Sequence, residues 1–161
     1  MSFIEAMRVI FKNEGGYSNN PLDPGGETKF GISKRAYPNV DIKNLTLDSA
    51  AVIYKRDYWD KIKGDALPYP VALLAFDVAV NSGPDESAIL LQKAVDVVQD
   101  GKIGPKTIEA VLKHNLPDLV NEFSTYRMLY YFSLSNFKIF GKGWTKRSFD
   151  THAEAVKSVW N

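Results

Sequence analysis

The chain is 161 residues long, 45% apolar and nearly neutral, with 20 Lys+Arg against 19 Asp+Glu. That length and composition suit one globular unit with a real core, and a net charge of +1 gives no overall field for nucleic acid. Cysteine is absent, which excludes a disulfide scaffold and thiolate metal sites.

The two histidines, His114 and His152, stand too far apart in sequence to suggest a metal cluster, and neither a metal nor an organic cofactor is implied. Charge is unevenly spread. Residues 1–100 hold 11 Lys+Arg and 14 Asp+Glu, whereas residues 101–161 hold 9 and 5. A mildly basic C-terminal part suits an anionic polymer, though a solvated surface explains it as well. The opening MSFIEAMRVIFKNEGG lacks the basic start and unbroken apolar core of a signal peptide. No run reaches the roughly 18 apolar residues of a membrane span. The expectation is synthesis in the cytoplasm without stable membrane association.

Phe3, Met7, Ile10 and Phe11 recur at helical spacing and predict a helix over residues 2–13. Ser2 is its expected N-cap, with Glu5 as capping-box partner, and Gly15 and Gly16 end it. Glu14 therefore falls at the end of a helix and the mouth of a loop. Residues 15–33 carry Pro21, Pro24, Gly25, Gly26 and Gly31, so turns dominate, with a short strand in TKFGIS. Residues 45–62 read as helical, capped by Thr46. Residues 70–83 (PVALLAFDVAVNSG) are apolar nearly all round, the mark of a buried central helix between Pro70 and Gly83. Further helices are predicted over 84–98, 105–115, 116–137 and 145–160. The one seam lies near residues 98–104, where Asp100 should bond turn backbone. VVQDGKIGPKT lacks the spacing of a phosphate loop. The fold class is mainly α, with a minor α+β character. A helical bundle surrounds a buried central helix, and a small irregular hairpin region lies at the site. Residues 1–98 form the expected catalytic region and residues 99–161 a helical region packed against it.

The loop NEGGYSNNPLDPGGETKFGIS, residues 13–33, sets Glu14, Asp23 and Thr28 among glycines and prolines. A helix-end Glu facing an Asp across a glycine-rich hairpin is one way to put two carboxylates on opposite sides of a cleft. Glycoside hydrolysis needs such a pair. One protonated carboxyl gives its proton to the leaving oxygen, and the other, ionised, directs water or stabilises the oxocarbenium ion. A hydroxyl such as Thr28 can hold that water. An Asp before Pro-Gly-Gly is also an ordinary turn former, so spacing alone leaves both readings open.

The stretch EGGYSNNPLDPGGETKFGIS resembles the signature of glycoside hydrolase family 108, the phage and bacterial N-acetylmuramidases with a Glu-Gly-Gly-Tyr motif near the start. The resemblance continues through IYKRDYWDKIKGDALP, VALLAFDVAVNSGP and LLQKAVDVVQDGKIGPKTIEAV, and the final third resembles the peptidoglycan-binding region that accompanies that family. It implies a lysozyme cutting the β-1,4 bond between N-acetylmuramic acid and N-acetylglucosamine. By that analogy Glu14 is the general acid, Asp23 the water-orienting base or electrostatic partner, and Thr28 an aid to the water. In the wider phage-type lysozymes one more residue separates the Asp from the Thr. The expected partner is peptidoglycan, with no nucleic acid. A phage or prophage endolysin of this kind waits as a monomer until a holin opens the membrane, then acts on the wall in the periplasm.

Sugars bind on aromatic faces and polar edges, which makes Tyr17, Phe30, Tyr54, Tyr58 and Trp59 candidates, Tyr58 foremost because RDYWDKIKGD is too polar for a buried helix. Asp77 and Asn81 share a face of the apolar helix, and they line the floor of the cleft or tie the core to the 15–33 loop. Lys138, Lys142, Lys146 and Arg147 surround Trp144, a patch that suits an anionic wall polymer better than nucleic acid. A non-catalytic wall-binding or virion module, and a lytic transglycosylase, are the competing readings.

Overall fold

The computed structural model describes residues 2–12, 16–19 and 26–160. Among these, seven α-helices and one two-stranded antiparallel sheet make a mainly α, lysozyme-like fold. Helix α1 spans Phe3–Phe11, and the Ser2 backbone N–H donates to the Glu5 carboxylate at 2.5 Å, as the capping pattern predicts. Strands β1 (Thr28–Lys29) and β2 (Ile32–Ser33) come next. Helix α2 spans Leu47–Tyr54, with the Thr46 hydroxyl accepting from the Ser49 N–H at 3.2 Å. The remaining helices are α3 (Tyr69–Ser82), α4 (Pro84–Ala94), α5 (Pro105–Lys113), α6 (Leu116–Ser133) and α7 (Phe137–Val159).

Helix α3 is the axis. Every residue from Pro70 to Ala79 is buried. Phe76 meets Phe3 of α1 and Trp59 on one side, while α4, α6 and α7 cover the other. One apolar core runs from Phe3 through α3 to Val111, Phe123 and Ala155. The loop after α4 is stapled from within. Buried Gln92 donates to Asp100 at 2.7 Å and to the Lys102 carbonyl at 3.0 Å, and it accepts from the Gly101 N–H at 3.0 Å. Asp100 also accepts from the Lys102 N–H at 2.9 Å, the turn bond expected of it.

Four elements differ from expectation: α4 stops at Ala94 and not 98, α6 stops at Ser133 and not 137, and two others change more. The single helix predicted over 45–62 ends at Tyr54 and continues as a π-helical turn, Lys55–Trp59. The wider turn rotates the side chains beyond Tyr54, and Trp59 goes into the core. There its indole N–H donates to Asp65 at 2.8 Å. The indole lies so close to Gly64 that a Cβ there would stand 2.4 Å from the ring. Helix α7 begins eight residues before the predicted 145, running through Gly141 and Gly143. Packing overrides propensity here: a Cβ on Gly141 would stand 2.7 Å from the Phe137 ring, so the glycine is what lets that ring lie along its own helix.

Helices α6 and α7 also share a hydrogen bond between Ser124 Oγ and His152 Nδ1, 2.9 Å apart. Burial holds the His152 pKa below its ordinary 6.5. The unfolded chain therefore takes up this proton at a higher pH than the fold does. The resulting stability is present above about pH 6.5 and lost as the pH falls through that value. Urea unfolding should show a decline on acidification from about pH 7.5 to about 5.5 that is shallower in His152→Gln. The helix glycines should diverge in the same assay. Nothing lies within 4 Å of a Cβ at Gly143, so Gly143→Ala should stabilise by about 0.5–1 kcal/mol. Gly141→Ala should destabilise by about 1–3 kcal/mol through overpacking.

Candidate active site

The hairpin is the tightest feature of the N-terminal half. Thr28 pairs with Ser33 and Lys29 with Ile32. The two turn residues, Phe30 and Gly31, both have positive φ, 52° and 75°. A two-residue hairpin turn matching the strand twist needs that geometry, and at Phe30 it carries a steric cost that only glycine escapes. Three contacts offset the cost. The Phe30 carbonyl accepts from the Tyr54 hydroxyl at 2.8 Å, its ring meets Phe11 at 5.8 Å, and Lys29 Nζ sits 5.5 Å from the ring centroid. Buried Ile32 anchors the second strand.

A third segment joins this hairpin. Ser18 and Thr28 exchange both backbone hydrogen bonds, each 2.8 Å. Ser18, Thr28 and Ser33 are therefore cross-strand partners in one row. The half-buried Thr28 hydroxyl donates only a long 3.3 Å bond to the Gly26 carbonyl. Tyr17, one residue before Ser18, is exposed and donates through its hydroxyl to Glu27 at 2.8 Å, and that bond raises its pKa.

The end of α1 and the π-helical turn meet the hairpin through aromatic rings. Phe11 contacts Tyr54 edge-on at 5.5 Å, and Tyr54 contacts Tyr58 at 5.4 Å. Tyr58 remains half-exposed beside Tyr37. The Tyr37 hydroxyl donates to Asp57 at 2.9 Å, and burial together with that carboxylate pushes its pKa well up. The Arg56 guanidinium grips Asp57 at 2.6 and 2.7 Å and lowers the carboxyl's pKa. Lys55 and Asp60 form an exposed pair at 2.7 Å. A π-helical turn of this kind is a frequent companion of functional sites.

Of the predicted residues, Tyr17, Thr28, Phe30 and Tyr58 belong to this hairpin and aromatic frame. Glu14 and Asp23 lie outside the described residues. In the chain, Glu14 follows Lys12 by two residues and precedes Gly16 by two. Tyr54 and Trp59 are core residues and not sugar platforms.

Asp77 and Asn81 do share a face, but it points at α6 and α7. Asp77 is 0% exposed, so it offers a ligand no surface. Its carboxylate accepts from Arg127 Nη2 at 2.5 Å, Arg147 Nε at 2.8 Å and Thr151 Oγ1 at 3.2 Å. Asn81 donates to the Tyr131 hydroxyl at 2.7 Å, and that hydroxyl also accepts from Arg127 Nε at 3.3 Å. Neither alternative expected for Asp77 describes it, because the described partners come from the C-terminal helices. The available signal was chemical: an acid inside an apolar helix requires a buried cation, and Arg127 sits among the aromatics of TYRMLYY.

Asp77→Asn should destabilise by about 3–5 kcal/mol, since it removes the buried charge that Arg127 and Arg147 share. Asn81→Ala should cost about 1 kcal/mol. Urea unfolding of the two variants checks the contrast.

The glycosyl hydrolase 108 family model matches residues 7–83, which include the loop, the hairpin, the aromatic frame and α3. A predicted peptidoglycan domain matches residues 87–149. Comparison with curated proteins returns no match. Among solved structures, that of Brucella abortus SagA is 39% identical, covering 96% of this chain and 94% of that one with a TM-score of 0.86. Shared identity at that level along nearly the whole of both chains, with the family model over the frame just described, means that the chain belongs to the glycosyl hydrolase 108 family.

Proposed function

We propose that this chain is an N-acetylmuramidase, cleaving the β-1,4 bond between N-acetylmuramic acid and N-acetylglucosamine in peptidoglycan. Glu14 is the general acid and delivers its proton to the departing glycosidic oxygen. Asp23 stays ionised and takes a proton from the attacking water, or faces the oxocarbenium ion directly. Thr28 orients that water, and the long bond to Gly26 leaves its hydroxyl available. Tyr17, Phe30 and Tyr58 offer ring faces and hydroxyls to the sugars. The observation that carries the reading is the family match over residues 7–83, which spans Glu14, Asp23 and Thr28 together. The predicted peptidoglycan domain beside it supports the substrate.

The setting we infer is cell lysis by a phage or prophage endolysin, acting as a monomer on the wall after a holin opens the membrane. Expression in a bacterial host should then clear the culture only when a pore-former is supplied. Lysis without one counts against that setting and leaves the chemistry standing.

The chemistry is tested on purified peptidoglycan. Glu14→Gln, shown folded by circular dichroism, should lose at least about 100-fold in rate, because a general acid supplies roughly 10²–10⁴-fold. Asp23→Asn should also lose most of its rate. Full activity in folded Glu14→Gln would falsify the assignment. Reducing ends on muramic acid identify a hydrolase, whereas anhydro ends identify a transglycosylase. Wall binding without release by the wild type would mark a binding module.

A further inference from the structure

Helices α6 and α7 are joined through residues 134–136 and bury one side of the pair against α3. Their other side is uncovered. A groove of about 370 Å³ runs between them, walled by Met128, Leu129 and Phe132 of α6 and by Phe149 and His152 of α7. Leu129, Phe132 and Phe149 are 56%, 57% and 65% exposed. None of these three belongs to the core. Exposed apolar side chains gathered in one place mark an interaction surface more often than chance exposure does.

Charge narrows the partner. Lys138 and Lys142 precede Phe149 by eleven and seven residues, so on an α-helix they project within roughly 20° of it. Neither lysine takes part in an ion pair among the described residues. Residues 134–149 contain Lys138, Lys142, Lys146 and Arg147 and no carboxylate. No carboxylate lines the groove either. A second copy of the chain would set these lysines against their own equivalents without a neutralising acid, which disfavours a homodimer through this face. An anionic wall glycan would take the lysines and stack on the rings, but it would leave the aliphatic Met128 and Leu129 in water. A bilayer rich in acidic headgroups satisfies both. Its phosphates take the lysines, whose stems lie along the apolar surface, and its acyl boundary takes the rings.

We propose that the outer face of the α6–α7 pair docks on an anionic phospholipid surface through Leu129, Phe132 and Phe149, with Lys138 and Lys142 at its edge. The docking is peripheral, since no described helix is long and apolar enough to cross a membrane. It does not depend on the muramidase reading. The hairpin and aromatic frame are built from other elements, so a docked molecule keeps them for its glycan.

The test is co-sedimentation of the full chain with vesicles. One set holds phosphatidylglycerol and phosphatidylcholine in equal parts, and the other phosphatidylcholine alone. The protein should pellet with the first set, remain soluble with the second, and be released by salt. Each of Lys138→Gln and Lys142→Gln should weaken binding about fivefold. The pair Phe132→Ser and Phe149→Ser should weaken it at least tenfold. Circular dichroism and unchanged urea unfolding show that the variants remain intact. Failure to bind the acidic vesicles overturns the proposal, as does equal binding by all variants. A wild type that light scattering shows to be dimeric, made monomeric by the Phe→Ser pair and indifferent to vesicles, would assign the face to a second copy instead.

Discussion

A carboxylate with no exposed surface is tolerable only where cations are brought to it. Asp77 sits in the middle of α3, the helix against which α1, α4, α6 and α7 pack, and it is served by Arg127 from α6 and Arg147 from α7. Apolar contacts alone would let α6 and α7 slide along α3, because a surface of Ala, Val and Leu offers many registers of similar energy. The two guanidiniums and the Thr151 hydroxyl remove that freedom, since a slip of one turn separates charge from charge in a dry interior. The interaction is thus better regarded as fixing the arrangement than as adding net stability.

The rims of the candidate cleft are held in another way. The Phe30–Gly31 turn is strained at Phe30, and the strain persists because surrounding groups over-determine it. Tyr54 links three of these groups: its hydroxyl holds the Phe30 carbonyl, its ring meets Phe11 at the end of α1, and it contacts Tyr58 on the π-helical turn. A buried tyrosine thereby ties the segment preceding Glu14 to the segment carrying Thr28. Substrate-binding elements in a hydrolase must be held within a fraction of an ångström. Here the holding is done from the core side, and Tyr17, Thr28 and Tyr58 keep part of their surface in solvent.

Much of this was legible in the chain. The apolar run of 70–83 announced a central helix and α3 is one, because complete burial leaves a complete signature in composition. Thr46 and Asp100 behave as capping and turn chemistry requires. Glu14 and Asp23 stood out as a motif but lie outside the described residues, and of the aromatic candidates Tyr17, Phe30 and Tyr58 fall in the hairpin frame. What was hidden depends on distance in sequence or on a single residue's fit. Asp77 finds Arg127 and Arg147 at separations of 50 and 70 residues, which no local pattern encodes. The π-helical turn inserts a residue to bury Trp59, and apolar spacing alone reads straight through it. The early start of α7 was obscured because Gly141 weakens helix propensity while it makes room for Phe137.

Helix α7 also explains why the C-terminal region carries the excess of positive charge. Its buried stripe, Gly141, Ser148, Thr151 and Ala155, is made of small residues that let the helix approach α3 and α6 closely. Such a stripe contributes little apolar area, so its attachment needs the directed charge of Arg147 on Asp77. On the far side of the same helix, Lys138 and Lys142 meet no acid among the described residues, and Phe149 has no core to enter. One 23-residue helix therefore uses its positive charge twice. Inward, Arg147 meets the buried carboxylate of Asp77 and fixes the fold. Outward, Lys138 and Lys142 are unmatched among the described residues, and such a cationic and aromatic face is stable in water only at the cost of exposing what an anionic, partly apolar surface would cover.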